Sequence, residues 1–293
     1  MSTAPVEMTT DGTAAAASPA PGIAPERSAR PADILGQYIE DYLEDGKTGP
    51  RYVLRHLRQS REAFSALRRL PVLSASLSDD PEAAVIRRSL TRKGGIGGLP
   101  LVREAVDVLV IPADATDYGL GASKQTLRRK VRYAQKAGVT WSEVTGTDER
   151  RELLRLADEQ ERIHPNEEYR GVPDNDDLLD YRLWLVARAA DGRPLMLSVT
   201  PYDGEWALLR HFRTLGSGRE YSDTRYLMTQ VLVERLSARG VRYLANHAVP
   251  FDLPKGLRHF QKMVGWEILR VRLSGIRAAS SSARHRGLTE TTS

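Results

Sequence analysis

Two Asp-Gly dipeptides, Asp191-Gly192 and Asp203-Gly204, each stand between apolar runs, and nothing else in this 293-residue chain restricts its fold so narrowly. Asp-Gly supplies the positive-φ pair that a tight hairpin needs, so LWLVARAA, PLMLSVTPY and EWALLRHFRTL are expected as three consecutive antiparallel strands. The runs DTRYLMTQVLVERLSARG, VRYLANHA, PKGLRHFQKMVG and WEILRVRLS follow, and their periods read helix, strand, helix, strand.

Upstream, VDVLVIP reads as a strand and SKQTLRRKVRYAQKAG as a helix with Leu127, Val131 and Ala134 on one face. Ser123 is placed to cap that helix and Gly138 to end it, and VTWSEV then alternates like a strand. A further helix opens at Thr147 or Asp148 and stops at His164-Pro165. Before this come helical patterns over 33–45 and 51–70, the second with an apolar stripe of Val53, Leu54, Leu57, Ala63, Phe64 and Leu67 among arginines. Between 72 and 110 the short runs VLSASL, AAVIRRSL and VDVLVIP are expected as strands. The loop Gly94-Gly95-Ile96-Gly97-Gly98 either joins two of them or cradles a phosphate, although Leu99-Pro100 after it does not open a helix.

Residues 1–30 and the stretch from 275 are small and polar, too poor in large apolar side chains to offset chain entropy, and are expected to stay disordered. That leaves an N-terminal region, 31–100, and a main domain, 101–274. No apolar run suits a secretory leader or a membrane span, so a cytoplasmic protein is expected. The absence of cysteine excludes disulfides, thiolate metal sites and a cysteinyl acyl-enzyme. The six histidines are dispersed, and no metal site is expected. There is no Gly-x-Ser-x-Gly, His-Glu-x-x-His or Walker A pattern. A net charge of +5 suits anionic partners, or simply reflects an arginine-rich composition.

An antiparallel meander followed by α-β-α-β, with Ala238-Arg239-Gly240-Val241 ending the long helix, resembles the C-terminal half of the GNAT superfamily of N-acetyltransferases. The basic run Ser123 to Lys130, leading to Lys136-Ala137-Gly138-Val139, is similar to the first helix of its Fem-like and BioF2-like branch. Gly256 to Trp266 looks like that branch's last helix. The resemblance covers about residues 101–274. It implies an α/β (α+β) fold, a mostly antiparallel mixed sheet flanked by helices, with 31–100 either helical or a truncated repeat. It also implies N-acyl transfer to a small-molecule or peptide amine without a permanently bound cofactor.

Acyl-CoA members hold pyrophosphate on a glycine loop at a helix N-terminus. Arg213-Thr214-Leu215-Gly216-Ser217-Gly218 has that pattern, but the long helix is expected to start near Asp223, leaving Arg219 to Thr224 between loop and helix. Arg213, Gly216, Gly218 and Arg225 are the candidate CoA contacts. Fem-like members use aminoacyl-tRNA instead and need no such loop. For them the cations of the basic helix, Lys124, Arg128, Arg129, Lys130, Arg132 and Lys136, are placed to track phosphates. A non-enzymatic RNA-binding protein is the remaining alternative.

In this family the acyl group sits where two strands splay apart, which corresponds here to Arg210–Thr214 and Leu244–Ala248. His211 and His247 fall in those places, and either can serve as base. As one continuous strand, EWALLRHFRTL puts His211 and Arg213 on the face of Ala207 and Leu209. Asp252 orients or replaces a histidine, or caps the helix beginning at Pro254.

Overall fold

The computed structural model describes residues 30–46, 49–91, 105–164, 167, 170, 174–251 and 253–276. Residues 1–29 and 277–293 of the expected tails, the glycine loop at 94–98 and Asp252 lie beyond the described residues, whereas Gly275 and Ile276, expected in the C-terminal tail, instead close the last strand. The helices are α1 (Pro31–Glu44), α2 (Pro50–Arg55), α3 (Leu57–Arg69), α4 (Pro81–Leu90), α5 (Gln125–Lys136), α6 (Thr147–Arg162), α7 (Arg219–Ser237) and α8 (Lys255–Val264). The strands are β1 (Val72–Leu77), β2 (Ala105–Val110), β3 (Thr140–Glu143), β4 (Trp184–Arg188), β5 (Pro194–Val199), β6 (Tyr202–Asp203), β7 (Trp206–Leu209), β8 (His211–Thr214), β9 (Tyr243–Asn246) and β10 (Trp266–Ile276).

They form two sheets, one in the order β1-β10-β2-β9-β7-β6 and one in the order β3-β4-β5-β8. Among the described residues only β1 with β10 and β7 with β9 run parallel, and every other pair is antiparallel. The fold is thus mixed α/β, with antiparallel-rich sheets flanked by helices, as expected. Asp191-Gly192 turns β4 into β5, with Gly192 at φ 86°. Asp203-Gly204 turns β6 into β7. No helix of the described residues is long and apolar enough to cross a membrane.

Three expectations change. AAVIRRSL lies in helix α4, not a strand: Pro81 starts it, and Ala83, Ile86 and Leu90 recur at helical spacing to pack on the larger sheet beside Val106, Val108 and Leu208. The expected helix over 51–70 breaks at His56, whose φ of −117° and ψ of 45° are not helical. Leu54 and Leu57 flank that break and are exposed, so they leave the predicted stripe, and Tyr52, Ala63 and Leu67 carry the packing against α1. Ser123 lies in a single 3-10 turn and makes no cap; α5 opens at Gln125.

The N-terminal segments join the larger sheet directly. β1 is its edge strand, and two buried carboxylates pin α4 and β1 to the meander. Glu82 accepts the Arg182 and Tyr202 backbone N–H groups at 2.7 and 2.8 Å and the Arg182 guanidinium at 3.0 Å. Asp203 accepts the Ser78 N–H and hydroxyl at 2.7 and 2.8 Å. Buried carboxylates so paired avoid the desolvation penalty that isolated ones carry. On the opposite face of that sheet α7 packs with α5 and α8, over a core that includes Leu109, Ala207, Leu244, Leu227 and Val231.

Candidate functional site

The segment 205–215 is not one strand but two. β7 pairs with β9, Leu209 opposite Asn246, whereas β8 pairs with β5, His211 opposite Val199. The chain changes sheets at Arg210, whose N–H donates back to the Leu208 carbonyl at 2.8 Å in a three-residue turn. The guanidinium of Arg210 locks that turn on the Asp177 carboxylate at 2.7 and 3.0 Å and on the Asp174 carbonyl. The break shifts the alternation by one residue. Phe212, rather than His211 and Arg213, joins Ala207 and Leu209 on the central core, which corrects the continuous-strand expectation.

Where the strands part, a cavity of about 170 Å³ opens, lined by His211, Phe212, Asn246, His247, Gln261 and Trp266 among others. Both predicted histidines line it. His211 is 3 % exposed, and burial, with the charges of Arg213 and Arg210, lowers its pKa to about 3. Its ring is therefore neutral at neutral pH, a hydrogen-bonding group and a weak base. Its Nε2 has no hydrogen-bond partner among the described residues. His247 is half-buried immediately after β9. Asn246 is the neighbour that the sequence reading left without a role. Its Oδ1 accepts the Ala248 N–H at 3.2 Å, which orients the amide and leaves its buried Nδ2 without a partner among the described residues.

Helix α7 begins at Arg219, four residues before the expected start, so Gly216-Ser217-Gly218 abuts its N-terminus directly. No side chain caps this end, and the first-turn N–H groups have no partners within the helix. Both glycines also have local reasons to be glycine. Gly218 sits at φ 112°, and a Cβ on Gly216 would stand 2.4 Å from the Tyr221 ring. Asp223 lies in the second turn, not at the cap, and pairs with Lys130 at 2.5 Å and Arg219 at 3.6 Å. Arg213 pairs with Glu161 of α6 at 2.9 Å, and Arg225 lies over the Phe260 ring at 5.4 Å.

The cations of the basic helix divide. Lys124 donates to the Val264 carbonyl, Arg128 to the carbonyls of Gly119 and Gly121 at 2.6 and 2.7 Å, and Lys130 to Asp223. Arg129, Arg132 and Lys136 stand exposed.

One charged group was missed altogether. Asp107 lies in the middle of β2, directly opposite Ile268 of β10. Val108 pairs with Ala245, so one step along the same register sets Asp107 beside Asn246 on the same sheet face. It is 6 % exposed, and its Oδ2 has no partner among the described residues. Burial pushes its pKa up to about 7 against the opposing pull of Arg258. The available signal was an aspartate in period with Ala105 and Leu109 inside an otherwise apolar run, where aspartate is disfavoured. Asp107 faces a second cavity, about 720 Å³, that reaches under α1 and shares Gln261 and Trp266 with the first.

No protein-family model matches the chain, and no curated protein matches it. Solved structures that resemble it include FemX, at 14 % identity and TM-score 0.47 over 66 % of this chain and 68 % of that one. L-PGS from Bacillus licheniformis is similar at 15 % identity and TM-score 0.42, over 56 % of this chain and 58 % of that one. The C-terminal domain (DUF2156) of a putative lysylphosphatidylglycerol synthetase from Agrobacterium fabrum matches the same shares at 16 % identity and TM-score 0.42. The chain spans a little over half the length of these last two structures.

Proposed function

We propose that this chain is a GNAT-type acyltransferase that moves an acyl or aminoacyl group from an activated donor directly to an amine, with aminoacyl-tRNA as the favoured donor. The observation that carries the reading is the parting of β8 from β9 at Arg210, which opens a small cleft with an unpartnered amide donor in its wall. Acyl transfer needs a hydrogen-bond donor fixed where negative charge develops on the carbonyl oxygen. Asn246 Nδ2 is such a donor, and the Ala248 bond holds it in place. His211, neutral and buried, orients groups in the cleft, and His247 is the candidate to relay the proton that leaves the amine.

The cleft, at about 170 Å³, has room for an acyl or aminoacyl group but not for the nucleotide part of a donor. That part lies outside, where Arg129, Arg132 and Lys136 offer phosphate contacts. A second reading, with acyl-CoA as donor, is favoured by one observation: Gly218 leads straight into the uncapped N-terminus of α7. Against it, Tyr221 and the φ of Gly218 account for both glycines without a phosphate.

The test is to titrate the purified chain with acetyl-CoA and, separately, with charged and uncharged bulk tRNA across a salt series, while donor consumption is followed in the presence of amines. Preference for charged tRNA, with ester loss to an amine, supports the leading reading. Stoichiometric CoA binding that Gly218→Glu abolishes establishes the second. If no donor is consumed, and His211→Ala and His247→Ala change nothing, both fall and a simple RNA-binding role takes their place.

A further inference from the structure

The cavity of about 720 Å³ has the size of a small-molecule site. Gly36, Gln37 and Glu40 of α1 line one side, Arg258 and Gln261 of α8 another, and Asp107 of β2 stands at the sheet. A buried carboxylate without a hydrogen-bond donor is costly, and proteins rarely keep one without a use. Arg258 is the cation that Asp107 feels, yet both terminal nitrogens of its guanidinium are committed elsewhere, and its buried Nε has no partner among the described residues. The guanidinium donates to the Pro250 carbonyl at 2.9 Å and the Gly36 carbonyl at 3.3 Å, and lies 4.0 Å from Glu40. No ion pair within 4.0 Å joins it to Asp107 among the described residues. Asp107 thus presents an acceptor oxygen with nothing in the described fold to satisfy it.

The position of Asp107 relative to the cleft gives this free acceptor a direction. Asp107 and Asn246 sit side by side on adjacent strands, and directly opposed residues of an antiparallel pair have Cα atoms about 4.5–5.5 Å apart. A group bonded to Asp107 is therefore within reach of a carbonyl held at Asn246. Gln261, 5 % exposed, and Trp266 line both cavities and form the partition between them.

We propose that the cavity beneath α1 is the acceptor site of this protein, and that it takes a ligand bearing a primary amine whose ammonium group is recognised by the Asp107 carboxylate. An ammonium supplies what the Asp107 oxygen lacks, a charged hydrogen-bond donor in direct contact, and leaves Arg258 in its present bonds. The assignment of this ligand as the acceptor rests on the acyl-transfer reading above; the ammonium site itself does not rest on it. In that reading the ammonium first gives a proton to Asp107, and the neutral amine bonds to the donor's carbonyl carbon as the bond to the leaving oxygen breaks. The second amine proton passes by way of His247 to that oxygen. The larger volume accommodates the body of an acceptor while the smaller cleft takes only the transferred group, so the two substrates enter from opposite sides of the Gln261–Trp266 partition.

The probe is n-butylamine at pH 8, with 1-butanol as the uncharged ligand of the same shape, titrated into the full chain while the side-chain amide signals of Asn246 and Gln261 are followed by NMR. The expected result is amine binding at least tenfold tighter than alcohol binding, with the preference lost in Asp107→Asn. A second variant guards against misfolding. A Cβ on Gly36 meets nothing within 4 Å, so Gly36→Phe fills the cavity from α1 with Asp107 intact and is expected to abolish binding of both ligands. Equal affinity for amine and alcohol, a preference that survives Asp107→Asn, or undiminished amine binding in Gly36→Phe overturns the proposal. If butylamine binds as stated but no donor is consumed, the ammonium site stands and the acyl-transfer reading falls. If donor is consumed while Asp107→Asn keeps the preference for amine, the reverse holds.

Discussion

The two cavities that meet at Gln261 and Trp266 each hold one buried titratable side chain, and burial drives the two in opposite directions. His211 in the small cleft is held neutral because a charged imidazole there would lie beside Arg210 and Arg213 with no solvent. Asp107 in the large cavity is drawn toward its neutral form by burial, against the pull of Arg258, and no described donor reaches its free oxygen. Low dielectric penalises the charged form in both, which lowers a base and raises an acid. A cation bound beside Asp107 would offset that penalty and hold its carboxylate charged, and His211 offers the small cleft no such charge.

The largest effect that can break this comparison is on stability against pH. Asp107 has a pKa of about 7 in the fold and 3.8 when unperturbed, so between those values the native state holds a proton that the unfolded chain releases. Its stabilising contribution is complete below pH 4 and is lost as pH rises to about 7. The stability of Asp107→Asn relative to wild type should therefore rise by up to about 4 kcal/mol from pH 4 to pH 7.5. His211, lowered from 6.5 to about 3, has the opposite sign: as pH falls below 6.5 the unfolded chain takes up a proton that the fold refuses. His211→Gln should gain on wild type by a similar amount between pH 7 and pH 3. Urea unfolding at a series of pH values reads both, and profiles parallel to wild type would show that neither group is perturbed.

Next in size is the transfer step. Asn246→Ala removes the fixed donor, and a fall of about 10²–10³ in turnover is expected, the magnitude typical of losing one such group. A fall confined to KM would instead make Asn246 a binding residue. Gly216→Ala is smaller, about 1 kcal/mol in thermal or urea unfolding, since Tyr221 must swing aside and lose its hydrogen bond from Arg193. The double variant with Tyr221→Ala should show no added cost from the alanine at 216. Last, replacing Arg129, Arg132 and Lys136 by Ala should lower the slope of log affinity for tRNA against log salt by about 2, at about 0.7 per phosphate contact on a single strand. An unchanged slope would place the phosphate path elsewhere.

Much of the frame was legible because it rests on short-range signals. The apolar periods of α1, α5 and α6 and the two Asp-Gly turns are properties of a few neighbouring residues. The cue that makes 81–90 a helix, Pro81 at its first position, is local too. The early start of α7 is different, since Arg219 to Ser222 carry a weak helical pattern and Glu220 and Tyr221 find their partner, Arg193, at the end of the β4–β5 turn. The basic face of α5 was legible as charge, but not its division, because Asp223 and the carbonyls that engage half of it lie far away in the chain or behind a turn.

The sequence by itself determined most of the kinds of element and the hairpins of the meander, because period and turn chemistry act within about ten residues. Only the tertiary structure decided that 206–214 belongs to two sheets, that His211 is a neutral buried ring, that Asn246 lines the cleft with a buried amide nitrogen lacking a described partner and that Asp107 stands beside it. Each of these depends on desolvation and on partners summed over segments remote in sequence: Asp177 locking Arg210, α8 closing over β2 and β9, and α1 covering Asp107. Burial is a property of the assembled neighbours, and no local pattern carries it.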